Sequence, residues 1–479
     1  MNLVMNLRVL SLLAILLAVC QSAALAVALI LGENPGPFIG SMLTGGTLGG
    51  VLYFKTQSAK TELRARDGIL IVGLGWAMAT VLAGLPFVYG GWMGWIDSWF
   101  ETASGFTTTG ASILTDVEIL PKSQLFWRSE IQWLGGMGIL LLAIAILPFL
   151  GIGGMEIMKA EVPGPTKDRL VPRVATTARI LWVLYAGITL ANILAFMGSG
   201  MDVLEATDHA FTTMATGGYS TRNASLAAFS PAAQWWCVFF MFVAGANFLL
   251  HYRLFMRRDW GIFKDPELLT YFGITVIVSV FTGFVLMVAQ EKGLELAMRH
   301  AFFNVVSILT TTGFANDDFA KWPLFLQVIL LNLMVIGGMA GSTAGGIKVV
   351  RLVMVWELFL AILDRLMAPR RITRPKYAGV IIPPEVMEGS LIMIVVFLFV
   401  MLLSVIVLTA VGLDFTTAFS ASLACIANVG PGIAKVGPVE NYAFIPDAGK
   451  LLLTVTMIAG RLELFTVLIL FFPRFWKGE

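Results

Sequence analysis

Charge is scarce in this chain of 479 residues: Asp, Glu, Lys and Arg make up only 13% of it, about half the ~25% of an ordinary soluble domain. A soluble globular enzyme is excluded, because the chain lacks the polar residues to cover its own surface. Neither sign of charge dominates, with 32 Lys and Arg against 30 Asp and Glu and a net charge of +2. No basic face for nucleic acid is therefore expected. Three cysteines (Cys20, Cys237, Cys425) and three histidines (His209, His251, His300) are scattered without metal-ligand spacing, so neither a disulfide framework nor a zinc site is supported. No enzyme activity and no organic cofactor are expected. What is abundant is apolar: 58% of the chain is hydrophobic, with a mean hydropathy of +0.85. This is the composition of a multi-span membrane protein.

Arg8 followed by an apolar stretch resembles a signal peptide, but the stretch runs from Val9 to Leu31. That is long enough to span, and too long for a signal core of ~7–15 residues. It reads as a retained first helix. Apolar runs of spanning length fall near 9–31, 37–54, 69–90, 125–150, 178–198, 232–252, 268–290, 323–357, 388–411 and 450–473, ten in all. Every second loop is basic: Lys55, Lys60, Arg64 and Arg66; Lys159, Lys167, Arg169, Arg173 and Arg179; Arg253, Arg257, Arg258 and Lys264; Arg365, Arg370, Arg371, Arg374 and Lys376. Positive loops stay inside, which assigns both termini to the cytoplasm.

The opposite loops each contain a short, moderately apolar segment and a glycine turn. They read Glu101-Thr-Ala-Ser-Gly-Phe-Thr-Thr-Thr-Gly110, Asp208-His-Ala-Phe-Thr-Thr-Met-Ala-Thr-Gly217, Asn304-Val-Val-Ser-Ile-Leu-Thr-Thr-Thr-Gly313 and Ala421-Ser-Leu-Ala-Cys-Ile-Ala-Asn-Val-Gly430. In this register Glu101, Asp208 and Asn304 are equivalent, drawing cations to the mouth or holding the re-entrant helix. The following span repeats a small-residue break at Gly135-Gly136, Gly245, Gly337-Gly338 and Gly460. The expected fold is an all-α polytopic membrane protein with four pseudo-symmetric repeats of helix, re-entrant pore loop and helix around one pore. Residues 1–66 form an additional pair of transmembrane helices. The repeats cover 67–160, 161–264, 265–376 and 377–479.

A cation leaving water needs oxygens of similar dipole, and backbone carbonyls supply them densely. Glycine suits the turn that aims them, and a short helix ending there directs its negative end at the ion. The candidate filter residues are Thr108, Thr109 and Gly110; Ala215, Thr216 and Gly217; Thr311, Thr312 and Gly313; and Asn428, Val429 and Gly430. Taken singly, each loop also reads as an ordinary Gly/Thr/Ser-rich connector; the fourfold repetition argues against that. Gly45, Gly46, Gly49 and Gly50 in the second span form small-xxx-small pairs, a helix-packing face.

With Phe126-Trp-Arg-Ser-Glu-Ile-Gln-Trp-Leu-Gly-Gly-Met-Gly138, Gly337-Gly-Met-Ala-Gly-Ser-Thr-Ala-Gly-Gly-Ile-Lys348 and Asn428-Val-Gly-Pro-Gly432, the loops resemble the K⁺ transporter superfamily that includes bacterial Trk and Ktr. The two extra N-terminal spans make the TrkH/TrkG branch of bacterial Trk potassium-uptake proteins the nearest likeness. That resemblance implies K⁺ as the transported ion, a bacterial inner membrane, a homodimer with one pore per subunit, and a cytoplasmic nucleotide-binding regulatory subunit of the TrkA type. Whether entry is channel-like or coupled to H⁺ or Na⁺ stays open. The segment holding Gly337, Gly338, Gly341, Ser342, Thr343, Gly345 and Gly346 reads either as a small-residue packing face or, as the resemblance implies, as an intramembrane gate. A phosphate loop is rejected, since Ile347 separates Gly346 from Lys348 and no soluble strand precedes it. Arg461 matches a basic position in the family and reads as part of the gate, or as a partnered arginine that fixes packing. Lys348 and Arg351 read as plain cytoplasmic-edge anchors.

Overall fold

The computed structural model describes residues 1–57, 64–138, 174–368, 370 and 373–477. The second half of the expected fourth span, and Lys60, Lys159, Lys167, Arg169, Arg173 and Arg371, lie outside the described residues. Among the described residues the architecture is helical, apart from one antiparallel hairpin of two-residue strands, Lys376–Tyr377 with Val380–Ile381.

α1 (Leu3–Leu31) and α2 (Gly36–Lys55) form an antiparallel pair. Gly45 and Gly49 face α1, and a methyl on Gly49 would lie 2.8 Å from the Ser11 carbonyl oxygen, whereas Gly46 and Gly50 face open space. Half of the expected glycine face is thus an interhelical contact. The pair is fastened to the next unit at the other end of the hairpin, where the Glu33 carboxylate accepts the amides of Lys122 and Ser123, both at 2.9 Å. Those are orphan donors of a helix start.

Four units follow, each with a helix, a shorter helix that turns back, and a return helix, which is interrupted in the second, third and fourth units. They are α3 (Ala65–Tyr89), α4 (Trp95–Phe106) and α5 (Lys122–Gly136); α6 (Val174–Gly198), α7 (Val203–Met214), α8 (Pro231–Ala244) and α9 (Phe248–Arg257); α10 (Pro266–Ala289), α11 (Leu294–Leu309), α12 (Leu324–Ile336) and α13 (Val349–Met367); and α14 (Pro384–Ala410), α15 (Phe415–Ile426) and α16 (Asp447–Arg461). The second helices have 12 to 16 residues, roughly 18–24 Å at 1.5 Å per residue and too short for a ~30 Å hydrocarbon core. Those three return helices are broken as the glycines suggest: α8 and α9 meet at 95°, and α16 bends by 118° into the segment that follows. Residues 337–348 separate α12 from α13, so the expected span at 323–357 is two helices with an unwound stretch between them.

Among the described residues five helices are long and apolar enough to cross a membrane, or seven if each bent pair is one span. The most apolar windows of α1, α6, α10 and α14 are only 28 to 33% buried, against 72% for α3. An apolar exposed face of this kind is what lipid covers. The interior, by contrast, is polar in places: α5 buries Arg128, Glu130 and Gln132.

Packing closes the units into a ring. The return helix of each unit contacts the short helix of the next: α5 with α7, α8 with α11, α12 with α15, and α16 with α4.

Candidate functional site

The four short helices end alike, at Phe106, Met214, Leu309 and Ile426. The second residue beyond each end (Thr108, Thr216, Thr311, Asn428) takes a left-handed φ of 53°, 52°, 57° and 55°. The fourth beyond is glycine (Gly110, Gly218, Gly313, Gly430), with φ of 83°, 74°, 80° and 90°. Between them, the amides of Thr109, Gly217, Thr312 and Val429 donate back to the carbonyls of Ser104, Thr212, Ser307 and Ala424 at 2.7 to 2.9 Å. One backbone design, a left-handed helix cap, is built four times from different side chains. Holding a non-glycine residue left-handed costs roughly 1–2 kcal/mol, so four such residues at equivalent places mark a strained motif of the kind found at functional sites.

This pattern corrects the sequence register of the second loop. Gly218, not Gly217, stands where Gly110, Gly313 and Gly430 stand, and Ala215 is the helix cap that matches Thr107, Thr310 and Ala427. Glu101 is matched by His209 rather than Asp208, because α4 and α7 both have 12 residues before their caps. Two adjacent glycines made either register possible in the sequence; φ and the length of the helix decide.

The four turns meet one another. A methyl added to Gly110 would overlap the Gly217 carbonyl oxygen; one on Gly218, that of Thr312; one on Gly313, that of Val429; and one on Gly430 would lie 2.5 Å from that of Thr109. The chain of contacts passes through all four loops and returns to the first, which only a closed ring does. The same four glycines line one vestibule of about 140 Å³. No room exists for a Cβ at these positions, and that close approach is the physical reason for glycine.

Side chains behind the ring fix it. Gln132 donates to the Gly217 carbonyl at 2.7 Å and accepts the Tyr219 amide at 3.1 Å, filling the space in which a Cβ on Gly217 would stand. Arg128 pairs with Glu101 at 2.7 Å, both buried, and lies 3.5 Å from the centre of the Tyr219 ring. The Tyr219 hydroxyl donates to the Glu101 carbonyl at 2.7 Å, and that of Tyr442 to the Gly430 carbonyl at 2.7 Å. Of the two roles open to Glu101, Asp208 and Asn304, local bonding is seen for Glu101 and Asn304, and for His209 in place of Asp208, whose carboxylate oxygens have no partner. Glu101 accepts the Ile113 amide at 2.9 Å, His209 bonds Ser220 at 2.9 Å, and Asn304 bonds Asn316 at 2.8 Å. In the loop after the third turn Asp317 is lowered below the ordinary carboxylate range: partial burial opposes ionisation, but His300, Lys292 and the Trp322 indole all donate to it and prevail.

On the opposite side of the ring lies the unwound segment Gly337–Lys348. Its Gly345 amide donates to the Thr311 hydroxyl at 2.6 Å, and the Thr343 hydroxyl reaches the carbonyls of Met214 and Ala244, each at 3.1 Å. A methyl on Gly345 would overlap the Ala427 carbonyl. The segment therefore touches the second, third and fourth loops directly. Arg461 ties it to the first unit, donating to the Thr343 carbonyl at 2.6 Å and to those of Gly135 and Gly136 at 3.0 and 2.7 Å. Met339 donates to the Gly245 carbonyl at 2.9 Å. Backbone groups freed from a helix are thus satisfied by protein, as membrane depth demands.

Several of these partners were not legible in the sequence. One Glu267 oxygen accepts the amides of both Ala340 and Val350, at 2.7 and 3.1 Å, and so clasps the two limbs of the segment. Lys348 and Arg351 are not edge anchors: both are buried, Lys348 donating to the Ala344 carbonyl and Arg351 pairing with Glu463 at 2.8 Å. An acid at position 267 that opens a span was a weak signal for Glu267; Gln132 carried none.

Fold and site together define the class: a polytopic helical transport protein whose re-entrant loops close around one axis. The chain belongs to the TrkH family, described as cation transport proteins, whose model matches residues 38–477. It is 38% identical over 477 residues to the Trk system potassium uptake protein TrkH of Escherichia coli (strain K12), covering 98% of each chain. It is 33% identical over 436 residues to TrkG of the same organism, covering 90% of each. The crystal structure of the potassium transporter TrkH from Vibrio parahaemolyticus superposes with a TM-score of 0.89 at 37% identity, over 99% of this chain and 100% of that one.

Proposed function

We propose that the protein takes up potassium ions across a bacterial inner membrane through the axis of the four loops. The observation that carries this reading is the closure of four identical left-handed turns into one ring. Thr108, Thr109 and Gly110, Thr216, Gly217 and Gly218 with Ala215 as cap, Thr311, Thr312 and Gly313, and Asn428, Val429 and Gly430 form the filter. Their carbonyls replace water around the ion, and the four short helices point their carboxy-terminal ends at it. The third loop adds a hydroxyl that also holds the segment beneath.

That segment, with Gly337, Gly338, Gly341, Ser342, Thr343, Gly345, Gly346 and the clamp Arg461, is the gate. Its glycines weaken any helix by ~1 kcal/mol each relative to alanine, so it moves without unfolding a helix. The repeats run 67–160, 161–264, 265–376 and 377–479, after an N-terminal pair at 1–66. Both termini face the cytoplasm, as the basic loops require. The assembly is a homodimer with one pore per subunit and a TrkA-type nucleotide-binding subunit docked at the basic cytoplasmic loops.

Expression in cells lacking K⁺ uptake should restore growth at low K⁺, and purified protein in liposomes should carry K⁺ down its gradient. Absence of both, with membrane insertion verified, overturns the reading. A channel-like pore leaves the zero-flux potential at the K⁺ equilibrium value; coupling to H⁺ or Na⁺ moves it with that ion's gradient.

A further inference from the structure

Away from the pore axis, a second cavity of about 160 Å³ opens between the outer loop of the first repeat and the start of α7. Glu118, Lys122, Asp202, Glu205, Asp208 and Thr221 are among the residues that line it. Asp208 is 1% exposed, and neither carboxylate oxygen meets a donor at bonding geometry. Its hydroxyl neighbour Ser129 donates to the Leu125 carbonyl at 3.1 Å. Thr221 is 9% exposed, and its hydroxyl also has no partner. Behind Asp208, within electrostatic reach, sits Glu130, 7% exposed and with one oxygen unpartnered.

Buried carboxylates are costly without a counter-charge, and the nearby cations do not supply one. Arg222 is committed to Glu205 at 2.5 Å and to Glu118 at 3.8 Å. Lys122 stands exposed on the rim. An anion at the start of α7 is ruled out by four lining carboxylates against two cationic side chains. A divalent ion is also a poor fit, because no group of three or more His, Cys, Asp or Glu is placed to hold a metal ion among the described residues. A monovalent ion asks for less charge, and accepts carboxylate, hydroxyl and water oxygens together.

We propose that Asp208 and Thr221 bind one monovalent alkali cation, Na⁺ or K⁺, at a site separate from the filter. Asp208 lies on α7 before the second loop and Thr221 follows that loop, so an occupant joins its two flanks and steadies it. The site itself stands apart from the proposed pore; only the transport measurement below rests on that reading.

The test is thermal melting of the purified full-length protein in detergent, titrated with NaCl, KCl or N-methylglucamine chloride at constant ionic strength. Wild type should melt higher, saturably, in the alkali ion that fits. Asp208→Asn and Thr221→Val should each weaken that midpoint at least tenfold, whereas ions held in the filter act equally on all three proteins. The salt that produces the variant-sensitive rise identifies the ion. Curves for both variants that superimpose on wild type in all three salts overturn the site. So does a salt-independent shift in Asp208→Asn that Lys122→Met reproduces, since Lys122 is then the counter-charge. If Asp208→Asn fails to fold, Thr221→Val alone decides. K⁺ uptake into liposomes by wild type is read separately: its failure beside an intact variant-sensitive rise faults the pore reading and leaves this site standing.

Discussion

Replacing Arg461 by Gln should open the pore. The guanidinium donates to the Thr343 carbonyl, on the proposed gate segment, at 2.6 Å, and to those of Gly135 and Gly136 at 3.0 and 2.7 Å. A hydrogen bond from a charged donor contributes about 1.5–3 kcal/mol net. If that bond exists only in the closed arrangement, its loss shifts the ratio of open to closed by roughly 10- to 150-fold, at 1.4 kcal/mol per factor of ten. The Gly135 and Gly136 bonds change stability rather than gating, because those residues belong to the frame. Arg461→Lys retains the charge but offers a single point donor, and should fall between. The assay is K⁺ flux into liposomes without any regulatory subunit, alongside thermal melting. Flux equal to wild type in a folded, K⁺-selective Arg461→Gln protein would refute the reasoning, as the clamp would then be equal in both states.

The two adjacent glycines of the second loop should differ in kind. Gly217→Ala meets the Gln132 side chain and should be relieved by Gln132→Ala, whereas Gly218→Ala meets the Thr312 backbone and should lose discrimination of K⁺ from Na⁺ in either background, read by competition uptake. Glu267→Ala leaves the Ala340 and Val350 amides without their shared acceptor and should raise subunit-free flux several-fold, while Glu267→Gln keeps an acceptor and should change it less. Arg128→Met strands the buried Glu101 carboxylate and should lower stability by about 3–5 kcal/mol, with Glu101→Gln added to it restoring most of the loss; equal melting of single and double variants would contradict this. The depressed Asp317 carboxyl stabilises the fold above the ordinary carboxylate range near ~3.9, so the melting difference between wild type and Asp317→Asn should be full at neutral pH and shrink as pH falls below that range.

Periodicity and composition alone determine the membrane class, the number of re-entrant loops, the breaks in the second, third and fourth return helices and the special character of the segment at 337–348, because lipid requires apolar runs of fixed length and glycine is needed wherever backbones touch. They do not settle which glycine of a pair occupies the left-handed position. Gly217 and Gly218 are chemically identical, and only the length of α7 and the neighbouring Thr312 carbonyl distinguish them. Nor could sequence pair Arg461 with Thr343, Glu267 with Ala340 and Val350, or Gln132 with Gly217, since each bond joins residues between 73 and 118 positions apart. Arg351 and Lys348 looked like edge residues because a basic side chain after an apolar run usually snorkels to water. Here the chain unwinds before them and carries both inside, where Glu463 and a backbone carbonyl receive them. Short-range geometry is written in the order of residues; which long-range partner meets a buried polar group is decided only when four loops converge on one axis and every donor there must find an acceptor without water.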